Sequence, residues 1–153
     1  MTAETQVIEV TLESSMKSVE TAAEIVHRLC TNLRLGEDEE NQIEMAVHES
    51  VINAVLHANK NDSSKRVWLR LEADPRRIEI RVRDQGAGFD PDQVPDPLEA
   101  ENLLRVSGRG IFLIRTFMDE FSVLNLHGQG TEVVMVKRMA PNNADQGGQD
   151  CES

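Results

Sequence analysis

The stretch that most constrains the fold is a double alternation over residues 66–83. Val67, Leu69 and Leu71 share one parity, as do Ile78, Ile80 and Val82, while Arg66, Arg70, Arg77, Glu79, Arg81 and Arg83 take the other. Successive side chains of a strand point to opposite faces, so the pattern predicts two strands, 66–72 and 77–83, each with a dry and a wet side. Between them, Ala73-Asp74-Pro75-Arg76 is turn chemistry. Such a hairpin belongs to an antiparallel sheet covered on one face. The cover has to come from amphipathic helices elsewhere in the chain.

Two helices precede the hairpin. Residues 16–33 line up Val19, Ala22, Ala23, Val26 and Leu29 or Leu33, and Gly36 then punctuates the chain. The second helix opens on Glu37-Asp38-Glu39-Glu40, where the positive end of a helix dipole favours carboxylates, and runs to about residue 59. Its core stripe is Ile43, Val47, Val51, Ala54 and Ala58. An alternating strand covers residues 7–12, and residues 84–108, with Gly86, Gly88, Pro91, Pro95 and Pro97, read as loop. A short helix over 110–118 leads to strands near 120–126 and 131–138, joined by Gly128-Gln129-Gly130. The polar stretch 140–153 is expected to be a disordered tail, leaving 1–139 as one domain. The order β-α-α-β-β-loop-α-β-β implies a two-layer α/β (α+β) sandwich.

Composition narrows the function classes. The 153 residues suit one domain, and 27 Asp and Glu against 16 Lys and Arg leave a net charge of −11. That charge repels phosphate backbones, and four Phe with one Trp and no Tyr offer little for base stacking, so general nucleic-acid binding is excluded. The acids concentrate in 37–49, 90–101 and 140–153, segments without Lys or Arg, while the hairpin's outer face is rich in arginine. No apolar run approaches the roughly 18–20 residues of a membrane span, and the opening Met-Thr-Ala-Glu-Thr-Gln lacks the features of a signal peptide. Cys30 and Cys151 make no disulfide framework. A cytoplasmic setting is expected.

Three places break the packing rules. On the second helix, Glu49, Asn53 and His57 fall on the side opposite the core stripe, yet Met45, Ala46, Ile52 and Leu56 flank them. Polar groups in an apolar surround need partners, so Glu49 and Asn53 are either solvated or satisfied structural polars, or they hold a metal or polar ligand. His48-Glu49 is no zinc-protease helix, because Ile52 stands where a second His is required. His48 and His57 read as structural or surface residues. Second, Asp84 continues the inward parity of Ile78, Ile80 and Val82 and is followed by Gly86 and Gly88: alone it reads equally as a turn cap, but an inward Asp before Gly-x-Gly at a strand end is a more specific signal. Third, Ser107-Gly108-Arg109-Gly110 opens an apolar helix: it is either a plain N-cap turn or an anion site made by free backbone N–H groups. Neither a Walker A loop nor a complete dinucleotide fingerprint occurs. Together the three places suit a nucleotide with a metal ion between phosphate and protein.

Glu49-x-x-x-Asn53-Ala54, Asp84-x-Gly86-x-Gly88, Gly108-x-Gly110 and Gly130-Thr131 resemble, in order, the N, G1, G2 and G3 boxes of the GHKL ATPases. The phrases His57-Ala58-Asn59 and Ser107-Gly108-Arg109-Gly110-Ile111-Phe112 most resemble the anti-sigma factor serine/threonine kinases. The resemblance covers about residues 7–138. It implies the GHKL (histidine-kinase-like) ATPase fold, with a mixed, largely antiparallel sheet, helices on one face and ATP beneath a short lid. By that resemblance Asp84 reads the adenine amino group with Thr131 nearby, and Asn53 ligates Mg²⁺. Gly86 and Gly88 admit the nucleotide, Gly108 and Gly110 cradle phosphate, and Glu49 is the general base. Arg105 and Arg109, in or beside the lid, are candidate phosphate contacts. The implied activity is a protein serine/threonine kinase acting on a small anti-sigma-factor antagonist and sequestering a sigma factor, as a homodimer without membrane or direct nucleic-acid contact. A sensor histidine kinase would need an upstream helical hairpin bearing a phospho-accepting His, for which the chain has no room. The alternative is a module whose nucleotide switches partner affinity without turnover. The intact Glu49 argues for turnover.

Overall fold

In the computed structural model the described residues are 5–86, 114–126 and 130–139. Strand β1 (Gln6–Glu13) leads to helix α1 (Met16–Leu33) and helix α2 (Glu37–Ile52), which continues as a π-helical segment over Asn53–Ala58. Strands β2 (Arg66–Asp74) and β3 (Arg77–Arg83) follow, then β4 (Glu120–Asn125) and β5 (Thr131–Arg138). Of the short helix expected before β4, residues 114–117 are described and helical. No described helix is long and apolar enough to cross a membrane.

The five strands lie in the order β1-β2-β3-β5-β4. Where the resemblance implied a mixed sheet, all four described pairings are antiparallel. The hairpin register sets Leu69 opposite Val82 and Leu71 opposite Ile80, and β1 extends the same dry face through Val10 and Leu12. On that face Leu69, Leu71, Ile78, Ile80 and Met135 are buried against Val26 and Leu29 of α1 and Ile43, Val47 and Val51 of α2. Each such side chain contributes about 1.5–3 kcal/mol when taken out of water, which holds the two layers together.

The wet face carries its arginines interleaved with carboxylates. Arg81 bonds Glu79 and Glu132, each at 3.0 Å, Arg77 bonds Glu79 at 3.1 Å and Arg70 bonds Glu72 at 2.8 Å. The arginine-rich face read from the hairpin is therefore largely neutralised across the sheet. Arg83 lies over the Trp68 ring, 5.1 Å from its centroid.

Both helices differ locally from the expectation. The residue in left-handed conformation after α1 is Arg34 (φ 58°), whose N–H closes the last turn on the Cys30 and Thr31 carbonyls. Gly36 instead has extended backbone and serves as the N-cap of α2. Along α2, Ala46 and Ser50 are buried with Ile43, Val47 and Val51, so the dry side is broader than the stripe read from the sequence. Met45 is 44% exposed and Leu56 37% exposed, so the surround of Glu49 and Asn53 is more open than expected.

One ion pair spans the two helices. His27 Nδ1 on α1 meets Glu40 Oε2 at 2.6 Å and Glu44 Oε2 at 3.4 Å on α2. Hydrogen bonds to Glu40 and Glu44 hold the His27 imidazole above its ordinary value of 6.5. A raised folded-state value means the contribution is complete below about pH 6.5 and is lost as pH rises through the higher folded value. Melting temperature should thus fall between about pH 6 and pH 8 by more in the native protein than in His27→Gln, by a small margin because the pair is exposed. Parallel pH profiles of the two proteins would show the clamp to be inert.

Candidate functional site

Asp84 lies just past the end of β3, with its side chain turned to the dry side as its parity requires, and is 5% exposed. Burial pushes its carboxyl above the ordinary 3.8, and the backbone N–H groups of Gly86 and Thr131 pull it back. Both donate to the same oxygen, Oδ1, at 2.9 and 3.1 Å. No described residue donates to Oδ2. The carboxylate is thereby oriented by protein, with Oδ2 unpaired among the described residues.

Thr131 reaches Asp84 because β5 pairs with β3: Arg83 stands opposite Glu132, and the Asp84 N–H donates to the Thr131 carbonyl at 3.0 Å. Gly130 precedes it with φ 106°, where a Cβ would come within 2.0 Å of the Asp84 carbonyl oxygen. Gly86 is equally confined, since a Cβ there would meet the Ala58 carbonyl oxygen at 2.3 Å. These two glycines let three backbone segments close around one carboxylate.

Ala58 ends the π-helical segment. Its widened turn, with the Asn59 N–H donating to the Ala54 carbonyl at 2.9 Å, begins at Asn53. Single π turns inside α-helices occur often at functional sites. Asn53 and Glu49 are half-buried one turn apart, and neither side chain has a hydrogen-bond or ion-pair partner among the described residues. His48 is exposed, as expected, and the side chain of His57 lies outside the described residues.

Asn59 is the residue whose role the sequence did not disclose. It is fully buried, and its amide nitrogen donates to Ser14 Oγ and to the Arg66 carbonyl, both at 3.1 Å, while its oxygen accepts from the Gln85 N–H at 2.8 Å. Gln85 returns the link by accepting from the Arg66 N–H at 2.7 Å. One side chain thus ties the end of β1, the start of β2 and the residue after Asp84 to the end of the π segment. It sat inside a recognisable phrase, but nothing in that phrase identified the residue as a junction between strand ends.

The structure brings Asp84, Gly86 and Thr131 together and places Glu49 and Asn53 on the helix whose π-helical extension packs against Gly86. Gly88, Arg105, Gly108, Arg109 and Gly110 lie outside the described residues. The family of histidine kinase-like ATPase domains matches residues 12–137. The chain belongs to that family. It is 33% identical over 105 residues to the anti-sigma F factor of Oceanobacillus iheyensis, covering 67% of this chain and 72% of that one. To the serine-protein kinase RsbW of Bacillus subtilis it is 34% identical over 114 residues, covering 71% and 70%. Among solved structures, the RsbU and RsbW domains of a Mycobacterium tuberculosis protein superpose with TM-score 0.65 at 16% identity, over 89% of this chain and 33% of that one. The mycobacterial sensor histidine kinase MprB gives 0.52 at 19% identity, over 88% and 100%. These last two likenesses establish the fold.

For this ATPase-family domain, Asn59 should be a main determinant of the site's integrity. Asn59→Ala leaves the Gln85 N–H and the Arg66 carbonyl without their partner, so urea unfolding should report a loss of about 2–3 kcal/mol. A loss below about 0.5 kcal/mol, the range of an ordinary surface change, would remove Asn59 from that role.

Proposed function

We propose that this protein is an ATP- and Mg²⁺-dependent serine/threonine kinase of the cytoplasm that phosphorylates a small anti-sigma-factor antagonist and sequesters a sigma factor. The observation that carries the reading is the pair of unpartnered, half-buried groups Glu49 and Asn53 on the helix that leads to the Asp84–Gly86–Thr131 cradle. Relatives named anti-sigma F factor and serine-protein kinase support it.

The donor set suits the nucleotide. Asp84 Oδ2 is an acceptor that fits the amino group of adenine, with Thr131 beside it. Gly86 and Gly130 keep the backbone close without side chains. Asn53 offers an amide oxygen of the hard type that Mg²⁺ takes. Gly88, Gly108 and Gly110 are assigned to close backbone approach and the phosphates, and Arg105 or Arg109 to a phosphate contact. Bound ATP supplies the phosphoryl group and Mg²⁺ its charge neutralisation. Glu49 accepts the proton of the attacking serine or threonine hydroxyl as that oxygen bonds the γ-phosphorus and the bond to the ADP oxygen breaks. The partners are an antagonist with a phosphorylatable Ser or Thr and a sigma factor, engaged by a homodimer.

Two substitutions separate the roles. A positioned general base contributes about 10²–10⁴-fold, so Glu49→Gln should cut transfer of label from ATP to the antagonist by that order and leave ATP affinity unchanged. Full transfer by this variant removes Glu49 from the chemistry. Asp84→Asn keeps Oδ1 for Gly86 and Thr131 but sets a donor against the adenine amino group. ATP affinity should then fall at least about tenfold, because an opposed donor pair costs more than about 1.4 kcal/mol. Unchanged affinity in calorimetry rules out the adenine-reading role. Native protein that binds ATP and partners yet never labels the antagonist is a nucleotide-controlled binding module instead.

A further inference from the structure

Lys137 stands on the dry side of β5, opposite Ile78, in a layer it shares with Val133, Met135 and Ile80. Lys137 is half-buried, at the margin of that layer, and desolvating a cation even in part is costly unless it is held. Its ammonium donates to Gln42 Oε1 at 2.6 Å and to the Phe117 carbonyl at 2.9 Å. No carboxylate pairs with it among the described residues. Phe117 ends the helical turn 114–117, where free carbonyls favour a cation. One side chain therefore joins β5, α2 and the helical turn preceding β4.

The same strand touches α2 at a second point. Met135, two residues before Lys137 on the same side, accepts the Ser50 hydroxyl at 3.2 Å. Gln42 and Ser50 are eight residues apart on one broad face of α2, and Ser50 directly follows Glu49 in sequence. At its other end β5 begins with Thr131, which bonds Asp84. Strand β5 thus spans from the Asp84 cradle to two fixed points along the helix that carries Glu49 and leads into Asn53. The contact at Ser50 is a soft hydroxyl–thioether bond, so of the two polar contacts between β5 and α2 the shorter bond between Lys137 and Gln42 is the more directional, added to the core packing of Ile43, Val47 and Val51.

We propose that Lys137 is a positioning residue: through Gln42 it sets the axial placement of α2, and with it Glu49 and Asn53, relative to the Asp84–Thr131 cradle. This rests on the reading of Asp84 as the base contact and Asn53 as the Mg²⁺ ligand. A packing role alone would be served as well by an apolar residue, since replacing a partly desolvated charge by a well-packed side chain is often neutral or stabilising.

The test measures, on the full chain by calorimetry, the affinity for ATP with and without Mg²⁺ and for ADP without Mg²⁺. Lys137→Met should melt no lower than the native protein and keep its ADP affinity within about twofold, while the Mg²⁺-dependent gain in ATP affinity falls about five- to tenfold, a size typical of coupled neighbours. Lys137→Arg, which keeps the donors, should restore most of that gain. Gln42→Ala should reproduce the loss, and adding Lys137→Met to it should cost little more; it also carries the test if Lys137→Met does not fold. An unchanged Mg²⁺-dependent gain, an equal loss of ADP affinity, or losses that simply add in the double variant would each overturn the assignment. If the native protein shows ATP affinity that Mg²⁺ does not improve, the kinase reading fails and the assignment fails with it. If the native gain is present and survives Lys137→Met, only the assignment fails.

Discussion

A carboxylate buried at the end of a strand is costly to keep unless donors are waiting for it, and most of what distinguishes this fold follows from meeting that need at Asp84. The two donors come from opposite directions: Gly86 two residues on, and Thr131 forty-seven residues on. The second is available only because β5 docks against β3 instead of extending the sheet beyond β4, so the strand order and the polar cradle are one arrangement. Gly130 and Gly86 are the steric conditions for it, one against the Asp84 backbone and one against Ala58. Either glycine replaced by a larger residue would push apart segments that have to stay within hydrogen-bond distance.

The cradle in turn has to be held against the helical layer, and Asn59 does this with both ends of one amide. Its position follows from the π-helical segment. An α-helix continued to the same residue would place position 59 at a different angle about the helix axis, and the amide could not face both Arg66 and Gln85. The widening that begins at Asn53 therefore brings Asn59 to the junction of strand ends. A local departure from ideal helix geometry is sustained because the surrounding structure repays it with satisfied buried groups.

The sheet and its dry face were legible from periodicity alone. Alternation at 66–83 has one solution that buries Leu69, Leu71, Ile78 and Ile80 together, and the inward direction of Asp84 follows from the same parity. What periodicity could not deliver is anything depending on which strand lies beside which. That Thr131 meets Asp84 came from a resemblance to a known pattern of boxes and not from the spacing of the residues. The change to π geometry at Asn53 was invisible because residues 43–58 fit a uniform 3.6-residue period well enough. The exposure of Met45 and Leu56 was misread for the related reason that an apolar residue on a helix flank carries no mark of whether a second layer covers it. Lys137 fits an alternating strand on either face, and a charged residue is by default assigned to water.

The distribution of charge separates two kinds of surface. On the wet face of the sheet, arginines and glutamates alternate along each strand, so that Arg70 stands opposite Arg81 and Glu72 opposite Glu79, and Arg81 bridges Glu79 and Glu132. Apart from Arg83, whose buried Nε has no hydrogen-bond partner among the described residues, these side chains are already paired, so a partner docking there would first have to break bonds already made. The start of α2 is different: Glu37, Asp38, Glu39 and Glu40 occupy its first turn with no basic residue in the segment, and the nearby imidazole of His27 bonds Glu40 and Glu44. Negative charge there is stabilised by the helix dipole and left open to solvent. Among the described residues the excess acidity is thus displaced from the sheet to the start of α2, where long-range attraction of a basic partner would act.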